Sequence, residues 1–242
     1  MGYRFPQIPH KVYSKTFLKD VHLIFKYALV HPDDATFAAA KCFFENKFNG
    51  IKIGNTDIAD GVNIKSTDEL IWFDFKWDRL VICMKSPMYK SFDLTLEVMK
   101  YALEFFETVG VTDVEKVVFY KFNELSYNLA KDVPVSEVMK QIFSEELLKN
   151  MTKEDVDVQM SLSRWEKLVN FNDKDSVFTI EFGFGRSAKD SNTGSLTLKT
   201  QIESNLSKLP LSKIENTLRE YNQILDNAFH WCILPRIVKE ME

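Results

Sequence analysis

The order in which two hydrophobic periods alternate along the first half of the chain constrains its fold more than any other feature. Apolar residues that recur at every second position indicate half-buried strands, and apolar residues at helical spacing indicate amphipathic helices. The predicted elements are a strand at 21–30, a helix at 33–48, a hairpin at 70–85, a helix at 91–109 and a strand at 115–122. Their order is β-α-β-β-α-β, the split βαβ arrangement of ferredoxin-like units.

The second half has a different order of elements. Its predicted elements are a short helix opened by Pro134, strands at 156–168, 177–184 and 195–202, and a long last helix. A change of face near Arg164 and Trp165 predicts a bulge in the first of these strands. Ser212 and Glu215 form a capping box for the last helix, which Pro235 ends or kinks.

We therefore predict an α+β protein with helices packed on one face of an antiparallel sheet or sheets, the first half in ferredoxin-like order and the second half in α-β-β-β-α order. Between the first helix and the hairpin, residues 51–54 favour a short strand and residues 55–69 a loop. The predicted units are an N-terminal arm at 1–20, a first half at 21–130 and a second half at 131–242. The sequence leaves open whether the halves form one continuous domain and one sheet.

Charge and cysteine usage indicate a compartment and limit the partners. Cys42, Cys83 and Cys232 are scattered, odd in number and set in apolar stretches, as expected of free thiols in a reducing cytoplasm. No apolar run reaches the ~18 residues of a membrane span, and the N-terminus lacks the apolar region of a secretory signal. The formal net charge of -4 disfavours wholesale binding of nucleic acid or anionic membrane. We expect a cytoplasmic protein.

The motifs that usually carry catalysis or cofactor binding are weak. Residues 183–188 match the letters of the dinucleotide fingerprint G-x-G-x-x-A, but they precede a polar turn and a strand, so we interpret them as a hairpin loop. His230 and Cys232 are two positions apart on the last helix and point to different faces. His10, His22 and His31 have no partner at metal-ligand spacing. The sequence predicts no catalytic residue, cofactor or metal.

Basic residues in two places are candidate contacts for an anionic partner. The arm has Arg4, Lys11, Lys15 and Lys19 before its first acidic residue, and the hairpin after residue 185 has Arg186 and Lys189. Aromatic residues interleave with the arm's cations, a combination that also occurs in nucleic-acid-binding segments. The prolines of the arm favour instead an extended segment that docks on its own protein or is exchanged in a dimer.

Three stretches of the sequence, taken together, match a known pattern: Trp77–Val81 with Tyr89 before a helix, Val114–Leu125, and Tyr221–Phe229. Together they resemble a sporadically distributed family of uncharacterised bacterial proteins of about this length. In that family the strand contains an arginine-rich R-Y-x-N phrase, of which this chain, in Phe119–Asn123, keeps the aromatic character and Asn123 but lacks the arginine. The resemblance implies a bacterial protein, and it transfers no activity, cofactor or catalytic residue.

The function hypotheses come from different classes. The first is a binding or assembly protein without catalysis, acting through a protein–protein interface as a homodimer or with another protein. The second is a nucleic-acid-binding accessory protein that uses the basic arm and the Arg186 hairpin. The third is an enzyme with a site in a cleft between the two halves.

Overall fold

The fold is taken from a computed structural model of the chain. It describes residues 3, 5–9, 13, 15–30, 33–47, 51–53, 61–66, 69–86, 89, 91–128, 134–155, 164–186, 193–205 and 208–242. Arg4, Lys11 and Lys189 lie outside these residues, as do His10 and His31.

Strands and helices alternate along the described chain. The strands are β1 (Leu18–Lys26), β2 (Ile51–Ile53), β3 (Val62–Ser66), β4 (Ile71–Lys76), β5 (Arg79–Lys85), β6 (Asp113–Val114), β7 (Lys116–Asn128), β8 (Arg164–Asn172), β9 (Ser176–Arg186), β10 (Thr193–Ser204) and β11 (Leu209–Pro210). The helices are α1 (Asp34–Lys47), α2 (Phe92–Thr108), α3 (Val135–Lys140), α4 (Glu145–Leu148), α5 (Leu211–Cys232) and α6 (Pro235–Glu240).

Strands from both halves join one nine-stranded sheet in the order β2-β3-β4-β5-β1-β7-β10-β9-β8. All neighbours are antiparallel. The four strands β4-β5-β1-β7 have the arrangement of a split βαβ unit, because β5 lies between β1 and β4, and α1 lies on the connection that leads from β1 through β2 and β3 to β4. The pairing of β7 with β10 joins the halves. The predicted α+β class with an antiparallel sheet is confirmed.

The helices cover one face of this sheet, as predicted. Aromatic rings from α2 meet rings of the central strands, with Phe106 5.6 Å from Phe25 and Phe105 4.8 Å from Phe75 between ring centroids. On the β9 side, the ring of Phe143 lies 5.8 Å from that of Phe182. These buried aromatics place the core between the sheet and the helices.

Several predicted boundaries are wrong. Strand β1 ends at Lys26, so Leu29 lies beyond the strand and is 72% exposed. The predicted loop at 55–69 contains strand β3, and the strand predicted to end at 122 continues to Asn128. Strand β8 runs from 164 to 172 in continuous register with β9, without a bulge at Arg164 and Trp165. Its apolar residues Leu168, Val169 and Phe171 occupy both faces, which conceals the two-residue period.

The last helix also differs from the prediction at both ends. It begins at Leu211, directly after the extended Pro210, so Ser212 lies within the first turn and cannot act as the N-cap. It ends at Cys232, and Pro235 occupies the first turn of the separate helix α6, where a missing N–H costs nothing. The capping-box prediction is therefore wrong. The prediction that the long helix does not continue unbroken through Pro235 is confirmed.

The glycines of the G-x-G-x-x-A phrase lie within strand β9 and not in a hairpin loop. Gly183 pairs with Glu166 and Thr197, and Gly185 with Arg164 and Ser195. The next described element is strand β10, so the phrase does not lead into a helix as a dinucleotide fingerprint does. A methyl group on Gly183 would lie 2.1 Å from the Trp165 carbonyl oxygen, whereas one on Gly185 would meet no atom within 4 Å. Gly183 therefore permits the close approach of β8.

We expect Gly183→Ala to lower the free energy of unfolding by about 2 kcal/mol, because β8 must shift away from the new methyl group. Gly185→Ala is the matched control on the same strand, and we expect it to change stability by less than about 0.5 kcal/mol. Urea denaturation followed by circular dichroism measures both values. Equal effects of the two substitutions would contradict the close packing of β8 on β9.

Candidate functional site

The second face of the sheet is its open face, defined by Asp20, His22, Ile24 and Lys26 of β1 and by their cross-strand neighbours. It points away from the helices because side chains alternate along a strand and the odd-numbered residues from Val21 to Phe25 are buried in the core. Among the described residues, the buried side chains of the long helices belong to the core on the other face.

Aromatic side chains cluster at the centre of the open face. His22 stacks on Tyr120 at 4.3 Å between ring centroids with an interplanar angle of 13°, and the His22 ring meets that of Trp72 edge-on at 5.8 Å. The Nζ atom of Lys199 lies 4.7 Å from the Tyr120 ring centroid, and that of Lys85 lies 5.2 Å from the Trp72 ring centroid. These cation–π contacts tie charged side chains to the edge of the aromatic cluster.

Cys83 and Asp20 both contact His22, which raises the question of a catalytic triad. The sulfur of Cys83 and the Oδ1 atom of Asp20 each lie 3.0 Å from the same ring nitrogen, Nε2. A triad needs the nucleophile on one ring nitrogen and the carboxylate on the other, so this geometry does not activate the thiol. Burial, with a contribution from Asp20, raises the pKa of the Cys83 thiol well above its ordinary value. The arrangement therefore stabilises the aromatic cluster and does not supply a nucleophile.

We expect N-ethylmaleimide to modify one of the three cysteines quickly in the folded protein. Cys42 is exposed, whereas Cys83 and Cys232 are buried, and burial raises the pKa of both buried thiols. Intact-mass spectrometry should show one adduct before denaturation and three after it. Rapid labelling of Cys83, located by peptide mapping, would contradict this account and restore a catalytic interpretation.

An apolar strip runs beside the aromatic cluster. Val81, Ile24 and Val118 are direct cross-strand neighbours on β5, β1 and β7. Phe122 extends the apolar surface along β7, and at the far edge of the sheet Leu168 is 53% exposed. The centre of the open face therefore carries half-buried apolar and aromatic side chains, among which Val118 is only 6% exposed.

Charged side chains surround this strip, and their signs differ between the two sides of the sheet. The side formed by β3, β4, β5 and β1 carries five cations and two anions, namely Lys65, Lys76, Arg79, Lys85 and Lys26 with Asp74 and Asp20. The side formed by β7, β10, β9 and β8 carries three cations and four anions, namely Lys116, Lys199 and Arg164 with Glu124, Glu203, Glu181 and Glu166. The first side is net positive and the second net negative.

Many of these charges pair with each other within the face. Lys199 lies 3.7 Å from Glu181 and Lys76 3.8 Å from Asp74, in each case measured from Nζ to a carboxylate oxygen. Lys116 is in direct contact with Glu203. Cations that are paired in this way do not form a continuous track of one sign.

A second polar cluster lies on the helix side, where the two halves meet at Lys121. The Nζ atom of Lys121 donates to Asp226 Oδ1 at 2.6 Å and to Asn222 Oδ1 at 2.7 Å, and it lies 5.8 Å from the Tyr89 ring centroid. Burial lowers the pKa of Lys121, but Tyr89 and Asp226 outweigh this effect and hold the pKa above its ordinary value. The ammonium group stays charged at neutral pH, which suits a structural tie between β7 and α5 better than an amine nucleophile.

The arm docks on its own protein at the residues that the structure describes. The Tyr3 hydroxyl donates to the Ser176 carbonyl at 2.9 Å, the Phe5 ring lies 5.0 Å from the Phe178 ring, and Tyr13 Oη lies 2.8 Å from His230 Nε2. These aromatic rings contact residues of β9 and α5. In this arrangement they are therefore not available to stack on nucleic-acid bases.

The structure does not bring the described candidate cations together. Lys15 is exposed before β1, and its backbone N–H donates to the Met241 carbonyl. Lys19 lies 3.3 Å from Glu124 in an ion pair. Arg186, at the end of β9, is three strands away from Lys19. Arg4, Lys11 and Lys189 lie outside the described residues, so their role as contacts stays a prediction.

Sequence reasoning missed the cluster around His22, although one signal for it was present. The alternation that buries Val21, Leu23 and Phe25 requires His22 and Ile24 to point to the opposite face. The contacts of His22 with Tyr120 and Trp72 depend on strand register, because these residues are about 50 or more positions apart in the chain.

No family model matches the chain, and comparison with curated proteins finds no significant match. The resemblance to a bacterial family therefore stays a prediction. Among the described residues, no group of three or more His, Cys, Asp or Glu side chains is placed to hold a metal ion. No helix in the described part of the chain is long and apolar enough to cross a membrane.

Proposed function

We propose that this chain is a binding or assembly protein whose open face packs against a second copy of itself. The observation that carries the proposal is the strip of half-buried apolar and aromatic side chains, including Ile24, Val81 and Tyr120, that crosses the centre of the sheet without a covering helix among the described residues. Antiparallel sheets bury such a face against a helix layer or a second sheet. The helix layer of this chain is on the other side.

The pattern of charges favours a protein partner over nucleic acid. A nucleic-acid surface needs unpaired cations that follow the phosphates, whereas Lys199, Lys116 and Lys76 on this face are paired with carboxylates. An apolar centre with a rim of both signs is the usual composition of a protein–protein interface. The nucleic-acid hypothesis therefore depends on the arm and the Arg186 hairpin and gains no support from the open face.

The difference in charge between the two sides of the open face favours a second copy as the partner. A two-fold axis that is parallel to the strands and lies over β1 and β7 places the net-positive side of one copy on the net-negative side of the other. The apolar strip of each copy then lies on the strip of the other copy. Such an interface is self-complementary in charge and in hydrophobicity.

The edge strand β8 is less suited to self-association. Its Lys167 points to the helix side, where its Nζ atom lies 2.9 Å from Asp155 Oδ2. Inward-pointing charged residues on an edge strand oppose the addition of a further strand. The open face, and not this edge, is therefore the surface that we propose for the dimer.

We further propose that the protein acts in the cytoplasm. The support is that Cys83 and Cys232 are buried as free thiols and that all three cysteines are unpaired with one another in the structure.

Multi-angle light scattering of the purified protein tests the proposal. We expect a mass of about twice the 28.2 kDa of the chain at tens of micromolar, because the apolar strips of two copies would cover each other. A monomeric mass over the whole accessible concentration range would contradict self-association. A complex that absorbs strongly at 260 nm would instead support the nucleic-acid hypothesis.

A further inference from the structure

A separate groove lies on the helix side of the protein, between the end of α3, the helix α4 and the start of α6. It has a volume of about 780 Å³ and is lined by Phe143, Leu148, Leu234 and Pro235 on its apolar part. Its other lining residues are Lys140, Glu145, Lys149 and Arg236. The volume is within the range of small-ligand and peptide-anchor sites.

Backbone pairing between the two walls fixes the shape of this groove. Phe143 and Ile233 form an isolated antiparallel bridge, in which the Ser144 N–H donates to the Cys232 carbonyl at 2.7 Å and the Leu234 N–H donates to the Ile142 carbonyl at 2.8 Å. The groove is therefore a built feature of the fold.

The rim of the groove is net positive, although the chain as a whole is net negative. Lys140 is paired with Glu137 at 2.7 Å. The Arg236 guanidinium donates to the Gln141 carbonyl at 2.8 Å, which holds its position without neutralising its charge. Among the described residues, Lys149 has no ion-pair partner. Two cations thus remain available to an anion beside an apolar floor.

We infer that this groove binds an acidic amphipathic peptide segment of a partner protein, with an apolar side chain on Leu148 and Leu234 and carboxylates at Lys149 and Arg236. The charge complementarity points to an acidic ligand, and the floor requires an apolar one. Lys149, Pro235 and Arg236 line the rim, and the groove is open along it. An open groove suits a peptide that covers the rim better than a fatty acid, whose tail needs an enclosed pocket.

This site is independent of the open face, because the groove is on the opposite side of the sheet, where Phe143 contacts Phe182. A dimer joined through the open faces leaves both grooves accessible. The inference therefore does not depend on the proposed dimer, and its test has a separate readout.

Fluorescence anisotropy with a labelled synthetic peptide tests the inference on the full chain. The probe is a peptide of four helical turns, with leucine on one face and glutamate at the other positions. We expect Lys149→Glu/Arg236→Glu to weaken its binding by about tenfold or more. The matched control Lys213→Glu/Lys239→Glu makes the same charge change at exposed positions outside the groove, and we expect less than about a twofold change.

A second pair of peptides keeps the test specific. The same peptide with lysine in place of glutamate should bind the charge-reversed variant better than the wild type, and a peptide with serine in place of leucine should not bind. Equal loss of binding in the groove and control variants would overturn the inference, and so would equal binding of the glutamate and lysine peptides to the wild type. Binding of sodium dodecanoate that requires Lys149 and Arg236, without binding of the glutamate peptide, would assign the groove to lipid carboxylates and overturn it also.

Discussion

Replacing Lys121 with methionine should lower the free energy of unfolding by about 3 kcal/mol. The side chain of Lys121 is 11% exposed, and its ammonium group holds Asp226 and Asn222 of α5 against strand β7. Methionine fills a similar volume but leaves Asp226 without this cation in a partly buried site. Chemical denaturation of the wild type and the variant measures the difference.

The control for this prediction is Lys199→Met, on the neighbouring strand. Lys199 is also paired with a carboxylate, but it is 29% exposed on the open face and should contribute less than about 1 kcal/mol. The double variant Lys121→Met/Asp226→Leu should regain part of the loss, since it removes both charges. Equal effects of Lys121→Met and Lys199→Met would contradict the role of Lys121 as the tie between the halves.

The pH dependence of the Lys121 contribution follows from its pKa. A folded-state pKa above the ordinary value means that the contribution is complete below the lysine pKa of the unfolded chain and is lost only as the pH rises through the folded pKa. The difference between wild type and Lys121→Met should therefore be constant between about pH 6 and pH 9. Denaturation curves at several pH values check this expectation, which a steep change near neutral pH would contradict.

Replacing Ile24 with glutamate should convert the proposed dimer to a monomer. Ile24 lies at the centre of the apolar strip, between Val81 and Val118, and each dimer would bury two copies of the new carboxylate close to the two-fold axis. Desolvation and like-charge repulsion should cost about 3 kcal/mol or more, which corresponds to about a 100-fold weaker association. Light scattering at tens of micromolar measures the change in mass.

Leu29→Glu is the matched control for this variant. It makes the same kind of substitution at a residue that is 72% exposed and lies beyond the end of β1, off the open face. We expect it to leave the mass unchanged. Both variants should keep the melting temperature of the folded monomer, because neither side chain lies in the core. A dimer that tolerates Ile24→Glu would place the interface elsewhere.

The sequence predicted the fold through local periodicity and missed features that depend on distant contacts. Residues 21–25 show the two-residue period of a strand with one buried face, and α5 shows a helical stripe, so both elements were found. Strand β3 was missed because its two-residue period rests on only two apolar residues, Val62 and Ile64, within a longer polar stretch, and its pairing with β4 completes the strand. The single sheet depends on the long-range pairing of β7 with β10.

The candidate site shows the same division. His22 and Ile24 face away from the core because side chains alternate along β1, and the sequence shows this alternation. Their neighbours Tyr120 and Val118 are determined by the register between β1 and β7, which the sequence does not show. The Lys121 cluster joins residues from three separate stretches, Tyr89, Lys121 and Asp226, and no spacing within one stretch indicates that they meet. In this chain, therefore, sequence predicts which way a side chain points better than what it touches.

Cross-linking at the proposed two-fold axis tests the central claim most directly. In a Cys42→Ser background, Ile24→Cys places one new thiol on the open face, and Leu29→Cys places one off it. Two sheets that pack face to face lie about 10 Å apart, so a short bismaleimide should join the new thiols of the two Ile24→Cys copies in a dimer. We predict a covalent dimer with Ile24→Cys and none with Leu29→Cys. A protein that is dimeric by mass but cross-links only through Leu29→Cys would contradict the assignment of the open face as the interface.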